Sequence, residues 1–112
     1  MLDEAEQKAK EFSEYLPIQS QLITIYMLKG EYDKAEKLAK RFPNYAPIQS
    51  QLVTIYIKKW QDEEAVKIAD NFKWYEPIQE QLLELYMNQN NFKKAKEIAD
   101  FMPHSKIIKN KF

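Results

Sequence analysis

The ten residues Pro17-Ile-Gln-Ser-Gln-Leu-Ile-Thr-Ile-Tyr26 decide the fold, because the same pattern returns twice in the chain. PIQSQLVTIY begins at Pro47 and PIQEQLLELY begins at Pro77, so successive copies start 30 residues apart. A fixed period of about 20 to 50 residues is typical of a repeat protein. Apolar residues in each copy follow the first isoleucine at helical spacing, which predicts an amphipathic helix. In the first copy they are Ile18, Leu22, Ile25 and Tyr26.

A second pattern, with two alanines four residues apart, lies between these copies. Ala35 and Ala39 form one such pair, and equivalent pairs recur at the same period, including one within residues 1–12. We call the proline-led helices the A helices and the alanine-rich helices the B helices. The predicted order is B-A-B-A-B-A-B, which gives seven helices. Short turns join each A helix to the next B helix, so the two should be antiparallel neighbours.

These repeats predict an all-α domain, a right-handed αα-solenoid of short helix-turn-helix units, over residues 1–112. Its predicted parts are a leading B helix in 1–16, three repeats in 17–46, 47–76 and 77–106, and a tail in 107–112. Lys8 stands where later B helices carry an apolar residue such as Leu38. A polar residue there suits a terminal helix that has no neighbour on that side.

The start of each A helix carries three recurring residue types. A proline suits the first helical turn, so each A helix is expected to begin at its proline. A glutamine then falls at the third helical position, where it can bond back to the N-cap N–H as half of a capping box. These glutamines are Gln19, Gln49 and Gln79. A tyrosine lies two residues before each proline and is expected to pack at the repeat junction. The tyrosines are Tyr15, Tyr45 and Tyr75.

Composition narrows the classes of function. The chain has 17 Lys and Arg and 17 Asp and Glu, so its net charge is zero, which argues against a protein built mainly to hold nucleic acid. No cysteine is present, so disulfide and thiolate chemistry are excluded. No apolar run approaches the ~18 residues of a membrane span, and the first residues lack the apolar core of a signal peptide. We therefore expect a cytoplasmic protein without membrane contact.

The stretch YMLKGEYDKAEKLAK, residues 26–40, resembles the middle of a tetratricopeptide repeat. The resemblance covers nearly the whole chain and implies stacked αα-hairpins whose A helices line a concave surface for protein partners. The chain departs from the family pattern in its period, 30 instead of 34 residues. The family also has a small residue in the middle of helix A, which is replaced in all three copies here. The turn glycine of the family is present in the first copy, as Gly30, and is replaced in the other two. The replacements are Ile23, Val53 and Leu83 in the helices, and Trp60 and Asn90 in the turns.

No catalytic constellation is evident. His104 is the only histidine and is expected to be a surface residue. The single glycine excludes a glycine-rich phosphate loop, and no cluster has the spacing of metal ligands. Glu80 and Glu84 lie one turn apart, but on an open helix they are expected to be solvated charges, with a lesser role in attracting a basic partner. The sequence therefore predicts a protein without enzymatic activity, cofactor or metal.

A mixed polar and apolar stripe lies opposite the apolar face of the A helices. Because the resemblance places these helices on the concave side, the stripe is predicted to line a groove that holds an extended peptide or a partner helix. The predicted partner-binding residues are Ser20, Thr24, Met27, Ser50, Thr54, Ile57, Lys58, Glu80, Glu84 and Met87. Leu28 extends the stripe at the end of the first A helix.

Two alternatives remain open at this stage. Short solenoids expose apolar ends, so the chain could be a self-associating repeat module, natural or designed. The A–B pattern also resembles pentatricopeptide repeats, which implies RNA binding through polar A-helix residues. The zero net charge and the acidic third A helix, with Glu80 and Glu84, argue against RNA.

Overall fold

The computed structural model describes residue 7, residues 15–102 and residue 105. These residues form helices and short connections, and none of them lies in a strand. Six helices follow one another in this range. They are α1 (Leu16–Leu28), α2 (Tyr32–Ala39), α3 (Ala46–Lys58), α4 (Asp62–Asn71), α5 (Glu76–Asn88) and α6 (Phe92–Phe101). The all-α prediction is therefore confirmed for the described residues. The odd-numbered helices are the A helices and the even-numbered ones are B helices.

The predicted first B helix and the predicted tail lie almost wholly outside the described residues. Gln7 is helical, but the rest of residues 1–14 and the tail 107–112 lie outside the described residues. The chain divides into two compact units, and the boundary in the sequence falls between Gln61 and Asp62. In the first unit α1, α2 and α3 all contact one another, and in the second α5 packs against both α4 and α6. Each unit is thus built of helical hairpins.

Each A helix begins one residue earlier than its proline. Tyr15, Tyr45 and Tyr75 are the N-cap residues, with extended backbone angles, and the proline falls within the first two helical positions. The tyrosine carbonyl accepts the first backbone hydrogen bond, for example from Gln49 N at 3.0 Å. No side-chain cap is present at these three residues. The expected start at the proline was therefore wrong by one residue, because the missing proline N–H is tolerated throughout the first turn.

The buried face of the A helices is wider than the predicted stripe. Ile48, Leu52 and Ile55 of α3 are almost completely buried, as the helical spacing predicted. In α1 only Leu22 of the predicted apolar face is buried, while Ile18, Ile25 and Tyr26 are partly exposed. The mid-helix residues that replace a small residue of the tetratricopeptide pattern are buried just as deeply. These are Ile23, Val53 and Leu83, which are 0%, 1% and 0% exposed. Full burial of one such side chain is worth about 1.5–3 kcal/mol, so large residues here enlarge the core.

The B helices pack through their alanines. Ala35, Ala65 and Ala95 are completely buried, and Ala39 and Ala69 are buried one turn later. A methyl side chain adds little thickness, so the neighbouring helix can approach closely. The predicted close contact of A and B helices is therefore present in both units.

A buried glutamine joins each of two A helices to the end of the B helix before it. Gln49 Nε2 donates to the carbonyl oxygens of Ala39 at 3.3 Å and Phe42 at 2.9 Å. Gln79 Nε2 donates to the equivalent oxygens of Ala69 and Phe72, both at 3.0 Å. These carbonyls lie at a helix C-terminus, and each also accepts one backbone N–H, that of the residue three positions later. The predicted capping box was therefore wrong for Gln49 and Gln79: each amide satisfies the preceding helix instead of its own.

The A-to-B turns share one backbone geometry, the Schellman motif. In the first turn Gly30 N donates to Met27 O at 3.0 Å and Glu31 N donates to Tyr26 O at 2.8 Å. The motif needs a left-handed residue after the helix, and Gly30 supplies it with φ 74°. Trp60 and Asn90 take this position in the later turns, with φ 61° and 59°. Asparagine tolerates the left-handed region, whereas a tryptophan there is strained.

Removing the glutamine amide should destabilise the fold. Gln79→Ala removes two buried hydrogen bonds and leaves each carbonyl oxygen with its backbone donor alone, so we expect the free energy of unfolding to fall by about 1–3 kcal/mol. Gln49→Ala should behave in the same way. Gln21→Ala is the matched control, since Gln21 is exposed two positions after the equivalent glutamine of the first copy. Urea unfolding followed by circular dichroism measures the difference, and equal stabilities of Gln79→Ala and Gln21→Ala would contradict the role of the amide.

Exchange of the turn residues should change stability in opposite directions. Trp60 is 91% exposed, so Trp60→Gly removes left-handed strain while losing little packing, and we expect a gain of about 0.5–1 kcal/mol. Gly30→Trp should lose a similar amount. A Cβ at Gly30 would meet no atom within 4 Å, so that loss would reflect the backbone alone. Thermal unfolding of the two variants checks this, and a loss of stability in Trp60→Gly would show that the indole is held by packing.

Candidate interaction groove

An open groove of about 530 Å³ lies between the two A helices of the first unit, α1 and α3. Both apolar and polar side chains line it. Its lining residues are Thr24, Met27, Leu28, Tyr32, Ser50, Gln51, Thr54 and Lys58. Leu28 is 83% exposed at the C-terminal end of α1, so a large apolar side chain is available to a ligand.

The side chain of Gln51 on α3 forms hydrogen bonds with α1, so it links the two helices that line the groove. Gln51 Nε2 donates to Ser20 O at 3.0 Å and to Thr24 Oγ1 at 2.8 Å, both on α1. Its Oε1 accepts a hydrogen bond from Ser20 Oγ at 3.0 Å. Both ends of the amide are therefore bonded to the neighbouring helix. This bridge fixes the spacing of α1 and α3 and so the width of the groove.

The groove hydroxyls of two threonines are turned toward their own helices. Thr24 Oγ1 donates to Ser20 O at 3.1 Å and Thr54 Oγ1 donates to Ser50 O at 3.3 Å, each one helical turn back. This bond is common for threonines within helices. The hydroxyl proton is thereby committed to the backbone, and neither threonine is arranged as a nucleophile beside a base.

The structure leaves all ten predicted partner-binding residues accessible to solvent, since none is buried. Five of them line the groove between α1 and α3. These five are Thr24, Met27, Ser50, Thr54 and Lys58. Ser20 reaches the groove wall through its bonds to Gln51, and Ile57 is partly exposed on α3 without lining the groove.

The remaining three predicted residues belong to the other unit. Glu80, Glu84 and Met87 lie on α5, where Glu84 is exposed and the other two are partly exposed. They do not contribute to the groove of the first unit. That Glu80, Glu84 and Met87 bind a partner stays a prediction.

The sequence reasoning missed two residues of the groove, Gln51 and Tyr32. Gln51 belongs to the repeated Pro-Ile-Gln-Ser-Gln pattern, so its recurrence at a fixed place was a usable signal of a structural contact. Tyr32 was assigned to the turn and the start of a B helix, and only the folding of α2 against α1 brings it to the groove.

Two lysines at the C-terminal end of α3, Lys58 and the C-cap residue Lys59, have different surroundings. Lys59 Nζ lies 2.7 Å from Asp33 Oδ1 and 2.9 Å from Glu36 Oε1, both on α2, and this pairing raises the pKa of Lys59. Lys40 Nζ lies 2.9 Å from the other oxygen of Glu36. Lys58, in contrast, is exposed and forms no ion pair with any described residue. The charge available to a ligand of the groove is therefore that of Lys58.

Among the described residues no group of three His, Asp or Glu side chains could hold a metal ion. His104 lies outside the described residues. No helix in the described range is long and apolar enough to cross a membrane.

The ion pairs at Glu36 should make stability depend on pH in the acid range. Hydrogen bonds from Lys59, and then from Lys40, hold the pKa of Glu36 below its ordinary value of 4.5. The carboxylate therefore stabilises the folded chain above pH 4.5, and this contribution is lost as the pH falls through the lower folded pKa. We expect Glu36→Gln to be less stable than the natural chain at pH 7 and to lose less stability on acidification. Glu63→Gln, at an exposed residue without a partner among those described, is the control. Urea unfolding from pH 2 to pH 7 tests this, and parallel profiles of the natural chain and Glu36→Gln would contradict it.

Comparison with models of protein families, with curated proteins and with solved structures finds no match to this chain. The groove must therefore be interpreted from its own geometry and chemistry.

Proposed function

We propose that the protein is a non-catalytic interaction scaffold that holds a peptide segment or a partner helix in the groove between α1 and α3. The observation that carries this proposal is the coincidence of two independent results. Five residues predicted from the sequence as partner-binding also line the open groove of the first unit. The hydrogen-bonded bridge of Gln51 supports the same proposal, since it keeps the groove at a fixed width before any partner arrives.

The lining of the groove is suited to binding more than to chemistry. Met27 and Leu28 offer flexible apolar contact at one end, and methionine adapts to ligands of different shape. Lys58 offers a free ammonium group, which can bond to a carboxylate or to peptide carbonyls. The threonine hydroxyls donate to their own helices, so they can accept hydrogen bonds but are not activated for attack.

The proposed function includes a tetratricopeptide-like arrangement of the hairpins. We propose that the thirty-residue hairpins follow one another in a right-handed solenoid, in which the groove of α1 and α3 is one part of a longer concave surface. Support comes from the side-by-side packing of α1 and α3, and from the recurrence of one glutamine contact in both units. Glu80, Glu84 and Met87 on α5 would then extend the partner surface.

Blocking the groove tests the proposed function. Extended peptides selected from a displayed random library on the natural chain should lose at least about tenfold in affinity for Thr24→Arg plus Thr54→Arg, because two long cations then occupy the groove. Gln21→Arg plus Asn44→Arg is the matched control: it adds the same charge at exposed residues of the same unit. Fluorescence anisotropy with labelled peptides measures both. Peptides that bind the blocked variant as well as the control would exclude this groove as their site.

A further inference from the structure

A second cleft, of about 330 Å³, lies wholly within the second unit. Helix α5 forms its floor with Leu82 and Tyr86, while α4 and α6 form its two walls. Val66 lies on one wall, and Ile98 and Phe101 lie on the other. Phe101 is 62% exposed, so a large aromatic ring stands open to solvent at the end of the cleft.

Charges of both signs line the walls above this apolar floor. Helix α4 and the residues after it supply Asp70 and Lys73, and α6 supplies Lys94 and Glu97, all four exposed. None of these four side chains forms an ion pair or a hydrogen bond with another residue in the described range. Lys94 Nζ lies over the ring of Tyr86, 5.5 Å from its centre. Each wall thus presents one acid and one base that remain available to a partner.

From this arrangement we propose that the cleft docks an amphipathic helix of a partner protein. The apolar stripe of that helix contacts Leu82, Tyr86 and Phe101. Lysine or arginine beside the stripe pairs with Asp70 and Glu97, while glutamate or aspartate beside it pairs with the two lysines. The site is separate from the groove of α1 and α3, and it does not depend on the function proposed for that groove.

A helix fits both walls, whereas a strand does not. Side chains of a helix leave the axis in all directions, so one face can lie on the floor while its flanks reach both walls. In a strand successive side chains point to opposite faces, so one set would meet the floor and the other would point to solvent. The charged walls of the cleft would then stay unpaired.

The length of the cleft sets the length of the docked segment. From Gln79 to Tyr86 the floor spans eight residues of α5, and the seven steps between them cover about 10 Å at a rise of about 1.5 Å per residue. Two turns of the partner helix cover this distance. They place two or three apolar side chains, spaced three or four residues apart, on the floor.

Charge reversal on the walls tests the proposal. The probe is a displayed library of peptides of about 16 residues, long enough to be partly helical alone, with fixed leucines at helical spacing and flanks drawn from Lys, Glu and Gln. Peptides selected on the natural chain should carry both Lys and Glu on each flank, because each wall presents one acid and one base. They should bind at least about tenfold more weakly to Asp70→Lys plus Glu97→Lys, and an exchange of Lys for Glu in the peptide should restore binding.

A matched control separates local pairing from net charge. Glu63→Lys plus Asp100→Lys makes the same charge change at exposed residues of the same two helices that do not line the cleft, and it should bind the peptides like the natural chain. Circular dichroism confirms that each variant is folded. The proposal would be overturned if the peptides bound equally well to both double variants. It would also be overturned if the library yielded no helical peptide whose binding is weakened by Asp70→Lys plus Glu97→Lys. Sedimentation that shows a dimer of the natural chain, dissolved by the wall variant, would overturn it too, since this face would then pair two copies of the chain.

Discussion

One buried amide sets how a proline-led helix meets the helix before it. The side chain of Gln49, and again that of Gln79, gives both of its N–H donors to carbonyl oxygens at the end of the preceding B helix. Each of those carbonyls also accepts one backbone N–H, and the amide supplies a second hydrogen bond in a largely buried site. The amide can satisfy two of them at only one position of the A helix along the B helix. This contact therefore favours one register of the A helix against the B helix before it.

The two glutamines of the repeated motif act in different directions. Gln49 binds back to α2, whereas Gln51, two residues later, binds across to α1 through Ser20 and Thr24. Residues two apart on a helix point about 200° away from each other, so one helix can hold two neighbours at once. At the level of Gln51, α1 and α3 are joined by polar side chains, beside the groove that both helices line.

The repeat keeps its buried positions and varies its exposed ones, which gives the two units different surfaces. Ile48 and Ile78 are both completely buried at equivalent places. The groove of the first unit combines hydroxyls, a methionine and one free lysine, while the cleft of the second has an apolar floor between walls of mixed charge. Trp60 is the largest departure, since it takes a left-handed turn position that Gly30 occupies at lower strain. Nothing in the structure explains why a tryptophan stands there.

The sequence alone was enough to predict the six helices of the described residues, their order and much of the buried face, because helical spacing and a 30-residue period are properties of the chain. It also determined which face of α1 and α3 is open, since Thr24 and Thr54 lie opposite the apolar stripe. Only the tertiary structure decided what the glutamines do. A glutamine at the third helical position can bond to its own N-cap or to another helix, and the choice depends on which carbonyls folding brings within about 3 Å. The same holds for Tyr32 and for the cleft of α4, α5 and α6, whose walls come from segments distant in sequence and exist only once the helices have packed.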